Sequence, residues 1–176
     1  MGVTHVERHI GVTYAERLTM TERTASSRHH VETHPLPDDG ILDVVPWSDP
    51  VIEQCGYEMR SRYVELFWLG VLGPTATWFL RRCVDGFDEH PDGFRAHLDE
   101  FAVALGLSYA TGRHSPFARA VQRCVMFGMA QHVQRQQFPT LAVRVWAPPL
   151  PVRHLTRLPE GLRIAHDDWM ESSVFK

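Results

Sequence analysis

The stretch Ser115-Pro-Phe-Ala-Arg-Ala-Val-Gln-Arg-Cys-Val-Met-Phe-Gly-Met129 is the most strongly marked element of the chain. Ser115 can cap the free amides of a helix N-terminus, and Pro116 suits the first helical position. Apolar or small residues then recur at spacings of three and four, which is typical of the buried face of an amphipathic helix. These residues are Phe117, Ala120, Val121, Cys124, Val125 and Gly128. We therefore predict a helix over 115–129 that packs on a core.

The hydrophobic period changes after this helix. Beyond the polar Arg135-Gln-Gln137, the residues Leu141, Val143 and Val145 alternate with Ala142, Arg144 and Trp146. Period-two alternation that follows a polar turn is typical of a β-hairpin. The sequence therefore predicts a hairpin over 131–146.

Helices are also predicted before residue 115. Asp49-Pro50 is a helix-start signal for a helix toward Arg62 or Leu69, and Pro74 opens a second amphipathic pattern that runs to Phe87. A short helix around Leu98–Leu105 ends at Gly106, which suits a left-handed C-cap. The predicted fold class is mainly α with a small β-hairpin.

The two ends of the chain differ from this middle part. Residues 1–45 are polar and acidic without a sustained apolar period, so we expect a flexible tail. Residues 46–147 are expected to form the folded domain. Residues 148–176 are expected to form a proline-rich brace and a C-terminal helix, in which 155–169 is a candidate dimer element.

Composition excludes several classes of protein. The chain has 176 residues, 44% of them hydrophobic, so it can bury a core. Its longest uncharged run, Leu66–Leu80, is interrupted by Gly70, Gly73 and Pro74, and the first residues carry charges where a secretory signal needs an apolar stretch. Three cysteines do not suggest a disulfide framework. We expect a cytoplasmic protein.

The net charge of -3 is unevenly distributed along the chain. Residues 1–59 hold ten acids against four arginines, whereas residues 112–163 hold eight arginines against Glu160 alone. A segment with this bias is a candidate surface for binding a polyanion.

The order of helices and hairpin resembles a winged helix-turn-helix domain over about residues 63–147. Phe101-Ala-Val-Ala-Leu-Gly-Leu107 looks like the middle of the helix-turn-helix, with a small residue where helices cross and Gly106 where the turn needs a positive φ. The resemblance makes 115–129 the recognition helix and 131–146 the wing. It implies a winged helix-turn-helix with helical N- and C-terminal extensions, and a DNA-binding protein that regulates transcription.

The outer face of the predicted recognition helix supplies the candidate contacts. Arg119, Gln122 and Arg123 are expected to read bases, because Arg bonds guanine and Gln bonds adenine in a major groove. Contacts to the phosphate backbone are expected from residues near the helix start and on the wing. These are Arg113, His114, Ser115, Arg135 and Arg144.

Other functions find less support in the residues. No nucleophile elbow, phosphate-cradling glycine loop or His-Glu-x-x-His motif occurs, so we expect no enzyme, no cofactor and no small-molecule ligand. His29, His30 and His34 lack the partners that would complete a metal site, and no metal is predicted. The alternative function is a winged-helix module for protein–protein interaction in a replication or transcription assembly, with the basic face meeting an acidic partner.

Overall fold

The centre of the molecule is a mixed four-stranded β-sheet. A computed structural model describes residues 36–109, 115–134 and 138–173, which lie in one unit that spans Thr33–Lys176. The strands are β1 (Ile41–Trp47), β2 (Tyr57–Glu58), β3 (Phe94–His97), β4 (Ala130–Gln134), β5 (Pro139–Arg144) and β6 (Trp146–Ala147). The order in the large sheet is β3-β1-β5-β4, while β2 and β6 form a separate two-stranded sheet.

Helices connect and cover these strands. They are α1 (Pro50–Cys55), a π-helical segment (Val64–Trp68) that continues into α2 (Leu69–Leu72), α3 (Pro74–Glu89), α4 (Leu98–Ala104), α5 (Pro116–Met126), α6 (Val152–Leu155) and α7 (Glu160–Ser173). Among the described residues, no helix is both long and apolar enough to cross a bilayer.

The predicted fold class is wrong in its account of the sheet. The hairpin of β4 and β5 forms as predicted, with Ala130 opposite Val143. However, β5 also pairs in parallel with β1, and β1 pairs antiparallel with β3. The chain is therefore not mainly α with a small hairpin, and it is not the winged helix-turn-helix with helical extensions that the resemblance implied. Residues 41–45, predicted as part of the flexible tail, lie in the centre of the sheet.

The composition of β1 explains why the sequence did not reveal it. Leu42 and Val44 are buried, but Asp43 and Pro46 break the apolar run, and proline is rare in central strands. Pro46 lies beyond Val44, which forms the last pair with β3 opposite Phe94. At Pro46 no strand lies on the β3 side of β1, so this side of the strand is an edge. A missing N–H donor is tolerated at an edge.

Gly93 allows β3 to lie against β1. Its φ of +106° is in the region that favours glycine, and a Cβ at this position would stand 2.5 Å from the carbonyl oxygen of Val44. No other residue type fits both the backbone conformation and this close approach.

The apolar face predicted for the helix over 115–129 is confirmed in α5 for four of its six residues. Phe117, Ala120, Val121 and Cys124 are buried against α3 and the sheet, whereas Val125 is half-buried and Gly128 is exposed. The helix ends at Met126, three residues earlier than predicted, and Gly128 follows with a φ of +70°. The positive φ predicted for Gly106 is also found, at +73°.

The C-terminal region belongs to the same core. The Oη of Tyr63, on the turn into the π-helical segment, accepts a hydrogen bond from the Leu150 amide at 2.8 Å and lies 2.9 Å from Nε2 of His166 in α7. All three residues are buried, and burial raises the pKa of Tyr63 to about 12. The described part of the C-terminal segment therefore packs on the same core as the sheet.

Candidate nucleic-acid interface

The outward face of α5 is narrower than predicted. Ser115 is buried, and its Oγ accepts a hydrogen bond from the Ala118 amide at 3.0 Å, so this hydroxyl serves as the helix cap. Ala118 is buried as well. The exposed residues that remain on this face are Pro116, Arg119, Gln122, Arg123 and Met126.

Arg119 and Gln122 are polar side chains of this face that extend into solvent. They stand three residues apart on one side of the helix. Neither has a hydrogen bond or an ion pair within the described part of the chain. Within the described structure, their donors and acceptors are therefore open to solvent.

Arg123 is exposed, but its guanidinium is hydrogen-bonded within the protein. Its Nη2 and Nε donate to the carbonyl oxygen of Val71 at 2.7 and 3.3 Å, and its guanidinium lies 5.6 Å from the ring centroid of Phe127. Two of its three guanidinium nitrogens are thus used to anchor the end of α5 against α2. The predicted base contact from Arg123 does not fit this placement.

Arg144 is bonded within the fold. Its Nη1 donates to Asp49 at 2.8 Å, its Nε donates to the carbonyl oxygen of Gly128 at 2.9 Å, and its guanidinium stacks 3.7 Å from the ring of Trp47. The hydrogen bond from Arg144 holds the pKa of Asp49 below its ordinary value. The expected backbone contact from Arg144 does not fit this geometry, because its Nε and Nη1 already have acceptors, Asp49 neutralises its charge and the side chain is largely buried.

Three of the predicted contacts lie outside the described residues. These are Arg113, His114 and Arg135. The strands that flank Arg135, β4 and β5, are placed as the hairpin prediction requires.

A group of basic residues that the sequence reasoning missed lies next to Arg123. The ring of Phe127, directly after α5, has the guanidinium of Arg157 at 5.2 Å and the imidazole of His154 at 5.2 Å in an edge-on contact. Arg153 donates from Nε to Nε2 of His154 at 3.3 Å. We call Arg123, Arg153, His154 and Arg157 the Phe127 cluster.

The surroundings of His154 disfavour its charged form. Partial burial lowers its pKa, and the positive charges of Arg153 and Arg157 lower it further. Arginine is a donor only, so Nε2 of His154 must accept the bond from Arg153 and carries no proton. A signal for this site existed in the sequence, since Arg153, His154 and Arg157 fall within one turn of helix spacing. The three prolines that precede it are more typical of a passive brace.

No carboxylate neutralises this surface within the described ranges. Arg119 and the three arginines of the Phe127 cluster have no ion pair there, whereas Arg81, Arg95 and Arg144 each have one and Arg60 has three. The same part of the chain contains no group of three or more His, Cys, Asp or Glu residues that could hold a metal ion. His29, His30 and His34 lie outside it.

Comparison of the chain with protein-family models, with curated proteins and with solved structures finds no match. The resemblance to winged-helix domains thus has no support from a known relative. Function therefore has to be inferred from the site itself.

Proposed function

We propose that this protein is a non-enzymatic DNA-binding protein that reads duplex DNA with the exposed face of α5. The observation that carries the proposal is the pair Arg119 and Gln122 on an 11-residue helix, exposed and without partners in the described structure. The cations of the Phe127 cluster continue this face beyond the end of the helix.

The residue types suit recognition in a major groove, which is wide enough for one α-helix. Arg119 offers a planar fork of donors for O6 and N7 of guanine. Gln122 offers one donor and one acceptor for N6 and N7 of adenine. Because both are anchored on a helix that is buried along its other side, they lose little backbone freedom on binding.

Arg123 takes a different part in this proposal from the one that its sequence position suggested. It fixes the end of α5 through the carbonyl of Val71 and contributes positive charge. Base reading is assigned to Arg119 and Gln122. The backbone contacts expected of Arg113, His114 and Arg135 remain in the proposal, and Arg144 is left out because Asp49 neutralises it.

We propose regulation of transcription in the cytoplasm as the wider role, as the sequence predicts.

The proposal is made for a single chain. Within the candidate dimer element 155–169, Leu155, Leu162, Ala165 and Trp169 pack against the core of their own chain, while Ile164 is exposed. A homodimer through this element would use its exposed residues.

The test begins with selection of a preferred duplex from a random pool, followed by anisotropy titrations with that duplex and a scrambled one. We expect Arg119→Ala and Gln122→Ala each to cost about 1–3 kcal/mol on the selected duplex, with a smaller effect on the scrambled one. Arg82→Ala is the matched control, since Arg82 is an exposed helical arginine of α3 without an ion pair in the described residues.

Two results would contradict the proposal. The first is absence of binding to any duplex at about 50 mM salt, where phosphate contacts are strong. The second is equal affinity for the selected duplex in the wild type and both variants. Retention on polyglutamate but not on DNA would favour the alternative, a module that binds an acidic protein.

A further inference from the structure

We infer that the Phe127 cluster is a binding site for phosphates of the DNA backbone, placed beside the face of α5 that carries Arg119 and Gln122. The inference rests on the proposed function and adds the segment 152–157 to it, a region predicted from the sequence as a brace. Its charge, its position and its rigidity each support this role.

The charge of the cluster is unbalanced. Arg123 and Arg157 hold their guanidinium groups within about 6 Å of one ring centroid, the range of a cation–π contact. Arg153 lies against His154, which touches the same ring. Three like charges in one place repel each other, and no described carboxylate pairs with them. An anion with several acceptor oxygens removes this repulsion, and arginine binds phosphate in a bidentate manner.

The position of the cluster suits a contact that flanks base reading. Arg123 belongs to α5 itself, one turn beyond Arg119, and Phe127 is the first residue after the helix. The segment 152–157 meets α5 at this ring. A duplex that places a major groove on Arg119 would therefore bring a flanking strand toward the end of α5, where the cluster lies. Contacts that fix register on the phosphate backbone commonly flank the residues that read bases.

The segment that carries Arg153 and Arg157 is rigidly supported. Its backbone is closed by turns, with the His154 amide bonded to Pro151 at 2.8 Å and the Leu158 amide bonded to Leu155 at 2.9 Å. Leu158 is buried, and Nε1 of Trp68 donates to the Pro148 carbonyl at 2.9 Å. The two arginines are thus held on a fixed support, which lowers the entropy cost of binding.

His154 gives the site a titratable member. Burial lowers its pKa, and so do the charges of Arg153 and Arg157 from its own segment. Arg123 lies against the Phe127 ring that His154 contacts, and Trp68 packs on His154 without charge. A phosphate in the cluster would oppose the arginines and favour the imidazolium. Binding would therefore raise the pKa of His154, a change that a merely structural histidine would not show.

The experiment compares two double variants at the exposed positions 153 and 157. R153Q/R157Q removes both charges, and R153K/R157K keeps them as point charges. Arg82→Gln is the control for removal of a surface arginine elsewhere. Affinity for the selected duplex is measured between about 50 and about 200 mM salt, where each phosphate that the protein neutralises contributes about 0.9 to the slope of log K against log salt. The His154 ring is followed by NMR through a pH titration with and without duplex.

We expect R153Q/R157Q to reduce the magnitude of the slope by about 1.8 and to weaken binding on the order of 60-fold at about 0.1 M salt. R153K/R157K and Arg82→Gln should keep the wild-type slope, and the duplex should raise the pKa of His154. A wild-type slope in R153Q/R157Q, or a His154 pKa that the duplex leaves unchanged, overturns the inference while the proposed function stands. If the wild type binds no duplex, the proposed function fails and this site fails with it.

Discussion

Two groups of arginines in the described structure differ in what surrounds them. The members of the first group each have an acidic partner: Arg60 is paired with Glu58, Asp85 and Asp88, Arg81 with Glu65, Arg95 with Asp43 and Arg144 with Asp49. The second group, on α5 and on segment 152–157, consists of Arg119, Arg123, Arg153 and Arg157, which have no ion pair among the described residues. The charge of the first group is neutralised within the fold, whereas the second group keeps an unbalanced positive charge.

The contrast between the two groups shows why a count of charges along the chain is a coarse guide to a binding surface. Residues 112–163 contain eight arginines against one acid, yet Arg144 is neutralised by Asp49, which lies 95 residues earlier. Only the tertiary structure brings that acid to it. Conversely, Arg157 joins Arg123 at one aromatic ring although 34 positions separate them. Partners distant in sequence decide which charges remain available.

The largest expected effect is a loss of stability when Arg81 is replaced. It tests the distinction between arginines with and without an acidic partner. This buried side chain donates to Glu65 at 2.7 Å and to the carbonyl oxygens of Met59, Arg60 and Ser61. Arg81→Ala leaves these acceptors without a donor, so we expect the free energy of unfolding to fall by about 3 kcal/mol. Urea denaturation followed by circular dichroism measures it.

The matched substitutions for that prediction are at exposed arginines without an ion pair in the described structure. Arg82→Ala, next to Arg81 on the exposed side of α3, and Arg119→Ala should each change stability by less than about 0.5 kcal/mol. If Arg119→Ala costs as much as Arg81→Ala, the distinction between arginines used by the fold and arginines offered to a ligand breaks down.

Much of the helical part could be predicted from the sequence, because the signals there are local. Ser115-Pro116 marks the start of α5, its buried face follows from apolar spacing, and Gly106 adopts the predicted positive φ. The sheet could not be predicted in the same way. Its central strand contains Asp43 and Pro46, and its parallel pairing with β5 joins residues almost 100 positions apart. No local pattern records such a pairing.

In the candidate site, too, features with a local sequence signal could be predicted and features that depend on distant residues could not. Exposure of Arg119 and Gln122 follows from the helical period, and the structure places both on the outer face of α5. The burial of Ser115, the bond from Arg123 to Val71 and the ion pair of Arg144 depend on elements that approach from elsewhere in the chain. The Phe127 cluster was missed for the same reason, because it forms only when segment 152–157 folds back onto the end of α5.

A smaller effect is expected at Arg144, the one predicted contact that the structure assigns to the first group. Arg144→Ala removes the hydrogen bond to Gly128 and the stacking on Trp47, and we expect the free energy of unfolding to fall by about 1–2 kcal/mol. Affinity for DNA and the salt slope should stay at the wild-type values. A reduced slope would instead show that Arg144 contacts phosphate and belongs to the second group.

The ion pair of Arg144 also predicts a pH dependence. Its hydrogen bond lowers the pKa of Asp49 below the ordinary value of 3.8, so the folded state binds this proton less readily than the unfolded state. The resulting stabilisation is fully present above pH 3.8 and disappears as the pH falls through the lowered pKa. The difference between wild type and Arg144→Ala should therefore be larger at about pH 7 than at about pH 3. A difference that does not change with pH would contradict the pairing.

The smallest expected effect is a pH dependence of DNA affinity that comes from His154. It tests whether the arginines without an ion pair bind an anion. In the free protein, burial and the two neighbouring arginines lower the pKa of His154, so the ring is neutral at pH 7. A bound phosphate raises that pKa, and binding then takes up a proton between the two pKa values. Linkage requires affinity for DNA to increase as the pH falls through this window, by less than tenfold per pH unit for one proton. Titrations at about pH 8, 7 and 6 measure this increase in affinity.

The control for this prediction is His154→Gln, which keeps an acceptor for Arg153 but has no titrating ring. Its affinity for DNA should therefore lack this part of the pH dependence. An equal pH dependence in the variant would mean that another group takes up the proton and that His154 does not sense the phosphate.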